Sequence, residues 1–489
     1  MAFAVVVLVG ERGEGAVDRG QDLGQRDLLR RASEHVAAAD AAFGSYESCA
    51  FDREEDLLQV RLGEVRALCD FLDRGRSVGA VEGQRQQRPG GVIAAGGDLH
   101  PAMLPHRGFL PAPLAPAHCY GAAVAPEEPI RPDYGGRSLE QVVPALVGRV
   151  DQAWLPDAAR EAQTVVLLVL DGLGWELLQS HATELPELGA LDGGPITTVA
   201  PSTTACALTS ITTGLSPIQH GVLGYRMRLD GSVLNVLRWT IDGGARPPDA
   251  FDVQRHQPFL GRTVPVVTKS EFRTSGFSAA HLRDAPFFGW STPTMLVERC
   301  RALARAGHPL IYAYYPGVDT VAHEYGLAPP YLAAELRFVD EMVGRLRDAL
   351  PPEAALLVTA DHGEMEIGDR WLELTAVQDL VKGCSGEGRF RWLNSVRGGA
   401  NELADAARAA YGADAWVMTR EEVVDGGWLG PGPVPVANLR RLGDVLLAAR
   451  TSVGFIDPAL PRERQLVGAH GSLTAAEMFV PLVAGPGRG

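Results

Sequence analysis

The sequence predicts an α/β fold, a three-layer sandwich in which helices cover both faces of a mostly parallel central sheet, with inserted lid segments. Three observations predict it. TVVLLVLDG, LIYAYYPGVD and ALLVTADHG are continuous apolar runs, the pattern of strands buried on both faces. They alternate with helical patterns such as AELRFVDEMVGRLRDAL. Each run ends in an acid, Asp171, Asp319 or Asp361, and ligands on such sheets sit beyond the carboxyl ends of the strands.

Residues 1–130 read differently from the rest. They hold charge clusters such as FDREEDLL, the polar run EGQRQQRPGG and the proline-rich PHRGFLPAPLAPAH, with no catalytic motif. We read them as an accessory or poorly ordered extension, and Met103 as an alternative start of synthesis. Residues 131–489 then form the catalytic domain. YGGRSLEQVVPALVGRV reads as a turn and an amphipathic helix, and GWELLQSH opens a helix after the first strand. Residues from about 222 to 300 and from about 370 to 440 read as inserts between core strands. GDVLLAAR returns the chain to the core.

The chain is long enough, at 489 residues, to bury a large core. Its net charge of −15 argues against binding a nucleic-acid duplex, which needs a basic surface. Lysine occurs only at Lys269 and Lys382, a bias expected of a high-GC bacterial genome. The cysteines Cys49, Cys69, Cys119, Cys206, Cys300 and Cys384 are scattered and form no CxxC, which fits a reducing compartment. The opening AFAVVVLVG lacks a basic flank and a cleavage site, and no stretch is long enough to span a membrane. The expected location is cytoplasmic, without a membrane partner.

The residues that carry chemistry follow the apolar runs. Asp171 stands in LDG, Asp319 and His323 in DTVAH, Asp361 and His362 in ADHG, and His470 in GAHG. Three aspartates and three histidines make an oxygen-and-nitrogen ligand set for two divalent cations, and zinc accepts that mixture. DxxxH puts both side chains on one helical face, and Gly363 allows a sharp turn after Asp361 and His362. VAPSTTACALTSITTG adds hydroxyls at Ser202, Thr203 and Thr204. Each piece is common by chance, as a helix cap, a surface pair or a loop histidine. Their ordered combination carries the reading.

That combination resembles the alkaline-phosphatase superfamily, and most of all its type I phosphodiesterase/nucleotide pyrophosphatase branch. The resemblance covers roughly residues 134–489 and rests on LDG, PSTTACALTSITTGLSPIQHG, DTVAH, TADHGEM, GDVLLAAR and GAHGSLTAAEMFVPLVAGPG. It implies an alkaline-phosphatase-like fold and a threonine nucleophile at Thr204. It implies one zinc on Asp171, Thr204, Asp361 and His362, and a second on Asp319, His323 and His470. His220, Asp230 and Asp340 read as structural. Two positions depart from the nucleotide pyrophosphatase pattern: Ala205 stands where an aromatic is usual, and Ala207 where an asparagine binds phosphate. Cys206 lacks the proline and arginine of a sulfatase motif.

The expected substrate is a small-molecule phosphate ester, a diester or pyrophosphate ahead of a monoester. A catalytically inert binding protein is the remaining alternative. No Arg or Lys lies between Pro201 and Gly214, so the substrate-binding candidates are Tyr225, Arg226 and Lys269 beyond it, with Arg228 and Trp239 nearby. Gly172 and the segment after Thr204 are expected to lend N–H donors to phosphate.

Overall fold

A computed structural model describes residues 128–396 and 398–489. The expectations for residues 1–127, the start at Met103 among them, lie outside the described residues. The core is a seven-stranded sheet. Its strands are β1 (Thr164–Leu170), β2 (Asp192–Thr197), β3 (Val266–Lys269), β4 (Phe287–Trp290), β5 (Leu310–Tyr315) and β6 (Ala354–Thr359), closed by the late strand Phe479–Pro486. A second sheet of four antiparallel strands comprises β7 (Val381–Gly386), β8 (Phe390–Ser395), β9 (Ala415–Thr419) and β10 (Val445–Ala449). The late strand is therefore β11.

The main sheet runs in the order β2-β11-β6-β1-β5-β3-β4. All its pairings are parallel except those of β11, which runs antiparallel to both β2 and β6. Every residue of β1, β5 and β6 is buried, so both faces of the sheet centre are covered, as the unalternating apolar runs predict. The flanking helices include α1 (Trp175–Ser180), α2 (Thr204–Thr213), α3 (Pro293–Arg305), α4 (Gly317–Tyr325) and α5 (Tyr331–Ala349). α5 buries Leu336, Val339, Val343 and Leu346, the 3-and-4 spacing that its sequence shows. No helix of the described residues is long and apolar enough to cross a membrane.

Register brings the acids together. Val169 pairs with Tyr314 on one side and Thr359 on the other, so β1, β5 and β6 end at one level. Asp171 directly follows β1, and Asp361 follows β6 with only Ala360 between.

Four local readings change. LIYAYYPGVD is not a strand up to its acid. β5 stops at Tyr315 because Pro316 has no N–H to give a sheet, and Asp319 sits in the first turn of α4. Residues 222–300 are not wholly an insert: they supply β3 and β4 of the main sheet, and only a small three-stranded sheet (226–229, 232–235, 240–241) lies outside it. GDVLLAAR returns to a core, but to that of the second sheet as β10. YGGRSLEQVVPALVGRV does not form one amphipathic helix: it folds as a 3₁₀ turn, Leu139–Gln141, followed by the short helix Val142–Leu146.

Candidate active site

The site forms where β1, β5, β6 and the start of α2 converge. Thr204 is the first residue of α2, and its Oγ1 lies 3.2 Å from His362 Nε2. The same Nε2 is 3.3 Å from Asp171 Oδ1 and 3.4 Å from Asp361 Oδ2. Beside this group, His323 Nε2 lies 3.2 Å and His470 Nε2 3.7 Å from Asp319 Oδ1. The structure thus brings the sequence-predicted ligands together, with His362 shared between a group with Asp171 and Asp361 and a group with Asp319, Glu364 and His470. His362 and His470 stack between them.

Backbone contacts seat each ligand. Ser202 and Gly471 form a β-bridge, which ties the nucleophile loop to the His470 loop. Ser202 O lies 2.9 Å from His470 Nδ1, and Gly468 O lies 2.8 Å from His323 Nδ1. A carbonyl oxygen only accepts, so both Nδ1 atoms carry a proton, and each Nε2 is the ring atom turned toward the carboxylates. The Gly172 and His362 N–H groups both donate to Asp361 Oδ1, at 3.2 and 3.1 Å. Gly172 is therefore committed to a ligand rather than to phosphate. The Tyr314 hydroxyl donates to Asp171 Oδ2.

Gly363 serves for a reason other than the expected turn. A Cβ there would meet the Ala476 carbonyl oxygen at 2.0 Å and Gly174 Cα at 2.8 Å, so the position needs space and not a left-handed backbone.

The free carboxylate oxygens test whether cations fit. Asp171 Oδ1, Asp361 Oδ2 and Asp319 Oδ1 are buried without a hydrogen-bond partner, and each faces a histidine Nε2. Glu364 joins them: its side chain is fully buried, both oxygens lack a partner, and it groups with Asp319, His362 and His470. Burial, with Asp361 and Asp319 nearby, pushes the Asp171 carboxyl well above the usual range. Burial and then Asp319 do the same to Glu364. Burial also acts to raise Asp319, but His323, His470 and His362 outweigh it and hold that carboxyl at about 2. Burial drives His470 well below its ordinary value. Crowded buried carboxylates are costly to ionise unless cations lie between them. The donor set of carboxylates, imidazoles and a hydroxyl suits divalent metals such as zinc.

The proposed phosphate-binding residues are engaged by other partners. Arg226 is buried and gives its guanidinium to Asp242 and, at 3.1 Å, to Asp457. Lys269 pairs with Glu271, and Arg228 donates to Asn394 Oδ1 at 3.0 Å. Tyr225 accepts from Asn235 Nδ2 at 2.8 Å, and its own N–H donates to Glu387. Sequence reasoning missed Glu364, Tyr314 and Glu387. Glu364 directly follows the ADHG run, which was the signal that existed; the other two had none, since nothing local marks them. Glu387 is buried beside Thr203, and burial lifts its carboxyl to about 7.

A cavity of about 170 Å³ adjoins Asp171, Thr204 and Asp319. Its lining contains no Arg or Lys.

Known proteins share this fold. The fold is similar to that of murine ectonucleotide pyrophosphatase / phosphodiesterase 5, at 17% identity over 65% of this chain and 87% of the murine one, with a TM-score of 0.51. An inactive variant of that protein in complex with AMP matches equally, at 17% identity, 66% and 87% coverage and a TM-score of 0.51. Phosphonoacetate hydrolase from Sinorhizobium meliloti 1021, in complex with phosphonoformate, has 17% identity, 66% and 90% coverage and a TM-score of 0.49. Among curated proteins, none matches the sequence significantly. Residues 165–473 match the family described as Type I phosphodiesterase / nucleotide pyrophosphatase, a stretch that runs from β1 to just past His470. The chain belongs to the type I phosphodiesterase / nucleotide pyrophosphatase family, whose members are hydrolases of phosphoric esters.

Proposed function

We propose that this chain cleaves phosphodiester or pyrophosphate bonds through a covalent phosphothreonine at Thr204, with two divalent metal ions, most suitably zinc. Asp171, Thr204, Asp361 and His362 hold one ion, and Asp319, His323 and His470 the other. The observation that carries the reading is the set of orphaned carboxylate oxygens facing a histidine Nε2 around the Thr204 hydroxyl. Glu364 adds a fourth buried carboxylate beside Asp319, His362 and His470.

Bound divalent cations supply Lewis acidity, which favours an ionised hydroxyl and stabilises a departing oxygen. The chain's own residues do the rest. Thr204 Oγ1 attacks phosphorus, the bond from phosphorus to the leaving oxygen breaks, and the phosphoryl group rests on Thr204. Water then attacks phosphorus, and the bond to Oγ1 breaks to restore the hydroxyl. Thr204 opens α2, whose N-terminal partial positive charge favours the anion at each stage. Tyr314 holds Asp171 in one orientation through both steps.

The diester preference has its own support. A monoester dianion calls for extra cationic donors near the metals. Arg226, Arg228 and Lys269 are engaged elsewhere, and none lines the cavity beside Thr204. The AMP held by the murine relative's inactive variant is also the kind of product that such a cleavage releases. The test is a panel of aryl diester, aryl monoester and aryl sulfate on one zinc-loaded preparation, with acid quench and peptide mass analysis. A diester turnover with a phosphorylated Thr204 peptide is expected. Turnover that survives complete metal removal, or a phosphoryl group trapped on another residue, overturns it.

A further inference from the structure

Behind the proposed nucleophile the cavity has a character that phosphate does not explain. Leu208, one turn along α2 from Thr204, forms one wall, and Phe272, Phe277, Leu282 and Tyr314 form others. The walls are apolar, yet Tyr312 also lines the space, and its hydroxyl is buried without any hydrogen-bond partner. A buried unpaired hydroxyl costs free energy comparable to a lost hydrogen bond, so its retention calls for a partner that enters from outside. Burial raises the Tyr312 hydroxyl well above its ordinary value, so it stays protonated and is a donor. The ring is itself held in place, edge-on to Phe259 with centroids 5.8 Å apart. Size narrows the class further. An apolar cavity of roughly 150 Å³ takes a benzene ring, and this one is about 170 Å³.

We propose that this cavity is a specificity pocket for the organic group of the substrate, and that it takes a single six-membered ring carrying an acceptor for the Tyr312 hydroxyl. The substrate class is thus an aryl or heteroaryl phosphoric ester with a compact ring. A fused bicyclic ring exceeds the space. The proposal deepens the function proposed above and depends on phosphorus binding at Thr204, with which the cavity is continuous.

The test is calorimetric binding of non-hydrolysable phosphonate monoesters to the zinc-loaded full chain. The probes carry a methyl, a phenyl, a 4-acetylphenyl or a naphthyl group. The expected order is 4-acetylphenyl tightest, then phenyl, with methyl and naphthyl weaker by about tenfold or more. Tyr312→Phe keeps the ring and removes only the donor, and should cut the ratio of 4-acetylphenyl to phenyl affinity about tenfold. Ser278→Leu, which fills the cavity from its lining, should weaken both ring ligands relative to the methyl ligand. Equal binding of phenyl and naphthyl, or an unchanged ratio in Tyr312→Phe, overturns the pocket. Binding of none of the four probes overturns the reading of the phosphate site instead, so the two failures are distinct.

Discussion

The imidazole rings of His362 and His470 stack with centroids 3.5 Å apart and planes 11° from parallel. One ring follows β6 and the other precedes β11, so two loops far apart in sequence meet face to face. Each ring turns its Nε2 toward a different aspartate, His362 toward Asp171 and Asp361, His470 toward Asp319. The stack is the partition between the two proposed metal sites.

Thr204→Ala is expected to lower kcat/KM for an aryl diester by on the order of 10³-fold, while thermal unfolding shows the fold intact. Thr204→Ser should keep much of the activity, since a primary hydroxyl can make the same attack. Thr203→Ala should cost less than about tenfold, because Thr203 turns to Glu387 and not to His362. A dead Thr203→Ala beside an active Thr204→Ala would shift the nucleophile by one residue.

Metal retention should depend on Glu364. Dialysis against graded chelator, followed by elemental analysis, is expected to show about two equivalents of metal in the native chain. Glu364→Gln should lose metal at a chelator concentration about tenfold lower, since second carboxylates around a metal site typically matter by 10–100-fold. Identical retention curves would leave Glu364 without a role in the site.

On one zinc-loaded preparation, kcat/KM for an aryl phosphodiester should exceed that for the matching monoester by about tenfold or more. The expectation follows from the engagement of Arg226 by Asp242 and Asp457 and of Lys269 by Glu271. A monoester preference abolished by Lys269→Ala would show that this lysine leaves Glu271 to reach the substrate.

Acid stability should reveal His220. Its Nδ1 accepts from Val222 N–H at 3.1 Å, so the neutral ring carries its proton on Nε2, 2.9 Å from Ser210 Oγ. Burial, with His256 and Arg441 nearby, lowers the folded-state value to about 3. Above the ordinary value of about 6.5 both states are neutral and stability is full. Below it the unfolded chain takes up a proton that the folded ring refuses, so stability falls by about 1.4 kcal/mol per pH unit down to about pH 3. Denaturant unfolding of His220→Asn, which keeps an acceptor for Val222, should show a shallower acid limb than the native chain. Parallel limbs would assign the acid sensitivity to other groups.

The parts of the site that the sequence reveals are those tied to strand ends. Asp171 and Asp361 are legible because each closes an unbroken apolar run, and parallel register then sets them side by side. DxxxH is legible because helical spacing alone brings Asp319 within 3.2 Å of His323. β3 and β4 escape notice because four-residue strands are too short to show a period. β10 is readable as a strand, but an apolar run does not say which sheet it joins. Glu364 and Tyr312 matter through burial without a partner, a property of the packed chain that no local pattern encodes.

The antiparallel strand β11 has a consequence for the order of assembly. β2, which leads into the nucleophile loop, has β11 as its partner within the sheet, and Thr198 N–H donates to Met478 O at 2.8 Å at the junction. During synthesis the residues up to Thr204 emerge long before Phe479–Pro486. Until that late segment leaves the ribosome, β2 lacks its partner within the sheet, and His470 has not arrived. The bridge from Ser202 to Gly471 therefore forms only late in folding, with the closure of a pairing distant in sequence.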